Sequence, residues 1–168
     1  MYLYVCPLSH LVEAVATHSA GHVVTLINQQ TPVPTPAGIP ADRHVFLGMN
    51  DIAAPRPGFV SPSMEQVARL IELARAWDRK APIVIHCWAG VSRSTAAAFT
   101  VACALSPDRP EKEIAEDIRR LSPTATPNPM IVQFADELLE RDGAMIAAAR
   151  SIGRGEMAME GVPFRLDI

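Results

Sequence analysis

Apolar and polar positions divide the chain into short strands and helices in alternation. Tyr2–Val5 has the pattern of a short strand, and Leu8, Leu11, Val12 and Val15 recur at helical spacing, predicting a helix over Leu8–Ala16. Gly21 ends that segment, and the β-branched run His22–Ile27 predicts a buried parallel strand. Four prolines and a glycine within Thr31–Pro40 predict a rigid surface loop. His44–Met49 is the next strand, and Asn50–Gly58 is a loop broken by Pro55, Pro57 and Gly58. Ser61-Pro62 predicts the cap and first turn of a helix whose apolar face is Val67, Leu70, Ile71, Ala74 and Trp77. Pro82–His86 has the continuous apolar character of a fully buried strand. Ser94–Leu105 is almost wholly apolar or small and predicts a buried helix. Further helices are expected over Pro110–Leu121, from Pro129 to about Arg141, and over Ala144–Ile152. Gly153–Ile168 shows no period, so residues 152–168 are expected to wrap over the surface or form a mobile tail.

This order of elements predicts an α/β fold: a single domain over residues 1–168, with a central, mostly parallel sheet flanked by helices. Ligands of such sheets bind beyond the carboxyl ends of the strands. The loop after Pro82–His86 is therefore the expected place for chemistry.

Composition narrows the partners. The 168 residues are 49% hydrophobic and carry a formal net charge of −3, with no basic run. Such a chain has no electrostatic footprint for nucleic acid or an anionic membrane, and neither partner is expected. No apolar stretch is long enough to span a bilayer, and the N-terminus lacks the basic start of a signal peptide. Cys6, Cys87 and Cys103 are an odd set without framework spacing, which predicts a reducing, cytoplasmic setting. His10, His18, His22 and His44 have no ligand spacing, so no metal site and no cofactor is expected.

The chemistry lies in His86-Cys87-Trp88-Ala89-Gly90-Val91-Ser92-Arg93-Ser94. A cysteine and an arginine bracket a tight loop between a buried strand and a buried helix. The amides of such a loop form an anion-binding nest, and the helix N-terminus adds donors and a positive dipole end. Gly90 allows a backbone conformation that other residues resist. The planar fork of Arg93 can hold two phosphate oxygens. A cysteine at the floor of that cradle sits in a positive field, which favours the thiolate and places it for in-line attack on phosphorus.

At these residues the sequence resembles the protein tyrosine phosphatase superfamily, whose signature is His-Cys, five residues, then Arg followed by Ser or Thr. Pro127-Asn128, followed by Phe134 and Leu138, looks like an element of its dual-specificity branch. The resemblance implies a small dual-specificity-like domain with the phosphatase loop between buried strand and helix. It assigns Cys87 as nucleophile, Arg93 as phosphate clamp, Ser94 as hydroxyl donor to the thiolate and His86 as support for the loop. Residues Trp88, Ala89, Gly90, Val91, Ser92 and Arg93 would bind substrate through their amides, with Trp88 itself a loop-packing side chain. The family places a general acid thirty to forty residues before the cysteine. Asp51 fits that interval, whereas Asp42 and Asp78 sit less well. A thiolate and a protonated acid together predict a bell-shaped pH profile.

The expected reaction is hydrolysis of phosphotyrosine, with phosphoserine and phosphothreonine as further substrates, through a phosphocysteine intermediate. The expected partners are a phosphorylated protein or small phosphate ester, and phosphate- or sulfate-like anions in the loop. Two alternatives stay open on the same residues. One is a small-molecule or phosphoinositide phosphatase, against which the uncharged Trp88, Ala89 and Val91 count. The other is of a different class: a rhodanese-like sulfurtransferase or a non-catalytic phosphate-binding module. Cys6 and Cys103 read as small buried hydrophobes.

Overall fold

The computed structural model describes residues 1–168. Five strands form one sheet in the order β3-β2-β4-β1-β5. These are β1 (Tyr2–Pro7), β2 (His22–Ile27), β3 (His44–Gly48), β4 (Ile83–Cys87) and β5 (Phe164–Asp167). The first four run parallel, and β5 pairs antiparallel with β1 at the edge. The helices are α1 (Leu11–His18), α2 (Met64–Ala76), α3 (Arg93–Leu105), α4 (Glu111–Leu121), α5 (Pro129–Leu138) and α6 (Ala144–Ser151). This is the single-domain α/β arrangement that the alternation of elements predicts.

The period of two along each strand sends side chains to two cores. Leu3, Val5, Val24, Leu26, Ile83, Ile85 and Cys87 join the larger one with the faces of α2 to α6. Cys6, Val23 and Val84 join the smaller one beneath α1 and the Pro-rich loop, which contributes Ile39. Cys6 and Cys87 thus lie in different cores on opposite faces of the sheet. The central helix α3 buries Ala96, Ala97, Ala98, Phe99 and Val101 completely. Its small residues let it lie close against the sheet, which brings its N-terminus to the end of β4.

Three expectations need correction. The helix expected to start at Ser61-Pro62 starts two residues later. Ser63 and Gln66 form a reciprocal capping box, with Ser63 Oγ accepting from Gln66 N at 3.3 Å and Gln66 Oε1 accepting from Ser63 N at 3.1 Å. The first helix opens with a 3-10 turn over Leu8–His10, and the change of phase leaves Val12 71% exposed instead of on the apolar face. The tail 153–168, in which no regular element is expected, ends in the strand β5. There Phe164 and Leu166 are buried while Arg165 and Asp167 face out, the alternation of a half-buried strand.

Candidate active site

β4 ends at Cys87 and α3 begins at Arg93, so Trp88–Ser92 must turn the chain between them. The loop is held from outside by its carbonyls. Trp88 O accepts from Leu8 N at 3.2 Å, Ala89 O from Gly161 N at 2.7 Å, Val91 O from Thr126 N at 2.9 Å and Ser92 O from Asn128 N at 3.2 Å. Thr95 Oγ1 donates to Val91 O and Ser92 O, at 2.7 and 2.9 Å. Carbonyls turned outward leave the loop amides to line its concave side, the geometry of an anion nest. Gly90 N–H points at Cys87 Sγ from 3.3 Å, and Ser94 Oγ lies 3.2 Å from the same sulfur. Gly90 has φ +71°, and a Cβ there would stand 2.7 Å from Pro7 N. Loop and β1 touch backbone to backbone, so only glycine fits.

Ser92 caps α3 without a side-chain bond to the helix; its hydroxyl instead donates to Asp51 Oδ1 at 2.7 Å. The donors of the first helical turn therefore stay directed at the loop. Arg93 is 6% exposed, and its Nη1 donates to Met49 O at 3.0 Å. Its Nε is buried without a hydrogen-bond partner, 3.6 Å from Asp51 Oδ2.

Asp51 is carried by the turn after β3. Asn50 exchanges two bonds with Val60, at 2.7 Å through its backbone N–H and 2.8 Å through its Oδ1, and so closes the loop. Gln66 Nε2 donates to Gly48 O at 2.8 Å, tying α2 to the end of β3. Asn128 then clamps the loop from the far side. Its Nδ2 donates to Asp51 Oδ1 at 2.9 Å and to Ile52 O at 3.1 Å, while its Oδ1 caps α5 by accepting from Met130 N and Ile131 N.

A family model of the protein-tyrosine phosphatases matches residues 56–126, a segment that holds the Cys87–Arg93 loop but neither Asp51 nor Asn128. The solved structure of DUSP15 superposes with a TM-score of 0.63 at 18% identity, covering 89% of each chain. Human DUSP28 superposes with a TM-score of 0.58 at 19% identity, over 79% of this chain and 83% of that one. PTPMT1 in complex with PI(5)P superposes with a TM-score of 0.60 at 16% identity, over 85% and 89%. No curated protein sequence matches the chain. The chain thus has the fold of DUSP15 and DUSP28, with a protein-tyrosine phosphatase match over the segment that carries its cysteine loop.

Behind the Cys87–Arg93 loop lies a polar thread that the sequence does not reveal. His86 is fully buried, and its Nε2 lies 2.6 Å from Thr25 Oγ1. Thr25 Oγ1 also meets His44 Nε2 at 2.8 Å, and His44 Nδ1 meets Thr35 Oγ1 at 2.9 Å. Thr25 has one proton, so it donates to one imidazole and accepts from the other, which fixes complementary tautomers. Burial pushes the His86 imidazole down to about 4, so the folded protein holds it neutral. In the unfolded chain it binds a proton from about pH 6.5 downward. Stability is therefore present above pH 6.5 and falls as pH drops toward 4, by as much as ~3 kcal/mol from this group. Burial lowers His44 and His22 as well, adding to the same slope. Urea unfolding at pH 7.5 and 4.5 should show the loss, and His86→Gln should reduce the difference between the two pH values.

The structure sets Ser94 Oγ and Gly90 N–H on Cys87 Sγ and brings Asp51 to Ser92 and Arg93, while His86 lies behind the loop on Thr25. Trp88 differs from expectation: its side chain is 55% exposed beside the loop, packed by little. Sequence reasoning missed the outer supports. Gly161 sits so close that a Cβ would meet Gly90 O at 2.9 Å, making the tail a brace of the loop. The link from Asn128 to Asp51 was also missed, although Pro127-Asn128 was visible as an element. Burial pushes Cys6 and Cys103 up to about 12, so both remain thiols.

Proposed function

We propose that the chain is a cysteine-dependent phosphatase that hydrolyses phosphotyrosine monoesters, with phosphoserine and phosphothreonine as further substrates, through a phosphocysteine intermediate. The observation that carries this reading is the buried Arg93 guanidinium. Its Nε faces the Asp51 carboxylate at 3.6 Å and its one hydrogen bond goes from Nη1 to Met49 O, so it keeps N–H donors for a ligand of the loop whose Cys87 sulfur meets Gly90 N–H and Ser94 Oγ. A buried cation with unmet donors is satisfied by an oxyanion, and a phosphoryl group in that cradle lies over Cys87.

In the first step Cys87 Sγ bonds to phosphorus and the P–O bond to the leaving oxygen breaks. Asp51 gives that oxygen its proton. Arg93 and the loop amides hold the equatorial oxygens. In the second step a water attacks phosphorus and passes its proton to Asp51. The S–P bond breaks, and the Ser94 hydroxyl stabilises the departing thiolate. His86 acts as a support, held by Thr25 behind the loop. Phosphate and sulfate are expected to compete with substrate. The uncharged Trp88, Ala89 and Val91 favour a singly phosphorylated group over a polyanionic head, and sulfur transfer has no comparable support.

The test is turnover of phosphate esters with EDTA present and the thiol reduced. Asp51→Asn should lower hydrolysis of an alkyl phosphate by about 10²–10³-fold, and of p-nitrophenyl phosphate much less, because a good leaving group needs no proton. An effect independent of the leaving group would remove Asp51 from the proton transfer. A folded, reduced wild type without turnover would sink the phosphatase reading.

A further inference from the structure

One rim of the phosphatase loop opens into a groove that the proposed chemistry does not use. A hollow of about 240 Å³ begins at Val91 and Ser92 and is bordered by Thr126, Arg154 and Glu156. Thr126 and Arg154 also border a cleft of about 520 Å³ between α5 and α6, floored by Val132, Ile146 and Ala149. Sharing Thr126 and Arg154, the two hollows lie side by side along one face, the smaller of them at the catalytic loop, and are together called the groove.

The groove is built rather than incidental. Arg119 donates to Ala125 O, Ile152 O and Gly153 O, at 2.7, 2.6 and 2.9 Å, and so fixes the chain that turns out of α6. Gly155 N–H donates to Thr126 Oγ1 at 3.0 Å, and Glu156 N–H to Pro123 O at 3.0 Å. Arg150 and Arg154 stand exposed on the cleft, and neither takes part in an ion pair. Glu156 is the one carboxylate of the groove and lies in its narrower part, so the wide cleft is positive with an apolar floor.

We propose that this groove is a second subsite for a phosphorylated protein and reads the chain beside the phosphorylated residue. An apolar side chain enters the cleft over Ile146 and Val132, and a neighbouring carboxylate is held by Arg150 and Arg154. The inference rests on the phosphatase reading. A peptide is favoured over a lipid because the cleft is edged by the exposed Gln133, whose amide suits a peptide backbone, and residues Trp88–Ser92 of the loop carry no cation for a polyanionic head.

The experiment compares kcat/KM for two phosphotyrosine peptides that differ only in the flanks, Leu-Glu-Glu on both sides or Leu-Lys-Lys on both sides. The wild type should prefer the acidic peptide by about tenfold, the value of two partly exposed charge pairs. Arg150→Ala with Arg154→Ala should erase most of that ratio, mainly through KM, and Arg150→Glu with Arg154→Glu should invert it. An unchanged ratio in both double variants overturns the proposal. So does an effect confined to vesicles containing a monophosphorylated inositol lipid, which would make the groove a lipid site. If the wild type turns over no aryl phosphate, the phosphatase reading fails separately. The groove is then judged by fluorescence anisotropy of the unphosphorylated acidic peptide on the intact protein. Salt-sensitive binding weakened by the arginine substitutions supports it, and no binding overturns it.

Discussion

Cys87→Ser is expected to reduce aryl phosphate turnover by at least about four orders of magnitude, because the proposed reaction runs through a covalent bond to that sulfur. The alcohol is far less ionised than the thiol at neutral pH, so the cradle holds the ester without attacking it. The variant should still fold: Ser is close to Cys in size, and Ser94 Oγ and Gly90 N–H remain to bond it. It should also bind a phosphopeptide about as well as the wild type, since Arg93 and the amides are untouched. Turnover by stopped assay and affinity by calorimetry separate the two properties. A Cys87→Ser protein that retains a tenth of wild-type turnover would rule out the phosphocysteine intermediate.

The second large effect is at Arg93. Arg93→Lys is expected to lower kcat/KM for an aryl phosphate by about 10³-fold, the range for losing a donor that stabilises transition-state oxygens. Lysine keeps the charge but presents a point ammonium where a planar fork is needed. Arg93 also bonds Met49 O and faces Asp51, so its position is set by the turn that carries the proposed acid. Affinity for inorganic phosphate, measured alongside Tm, tests whether the loss is one of anion binding. Unchanged phosphate affinity with unchanged kcat/KM would contradict the clamp.

The two predictions differ in how early they can be made from the chain. Cys87, Arg93 and Ser94 are close in sequence, and the apolar runs on either side announce a buried strand and a buried helix. Asp51 is harder. It is picked by an interval and a loop, and what holds it is Asn128, 77 positions away, together with Ser92. The interval says nothing of that clamp, which exists because the turn before α5 lies against the turn after β3.

Some of what was missed had a local signal. Ser63 and Gln66 have the spacing of a capping box, and Phe164-Arg165-Leu166-Asp167 alternates as a half-buried strand should. Four residues are too few for periodicity to stand out. Other features had none. The path from His86 through Thr25 and His44 to Thr35 crosses four segments, and each residue alone is unremarkable in sequence.

By itself the sequence determined the order of the first four strands and of the helices, the sheet flanked by helices and the loop with its cysteine and arginine, because these depend on side-chain periodicity and on neighbours a few residues apart. Only the tertiary structure decided that β5 returns antiparallel to β1, that Gly161 braces Ala89, that Asn128 fixes Asp51, and that α5, α6 and the tail enclose a positive groove beside the loop. Those contacts join segments far apart in the chain. Their partners are chosen by which faces the packed core leaves adjacent, and no local pattern encodes that choice.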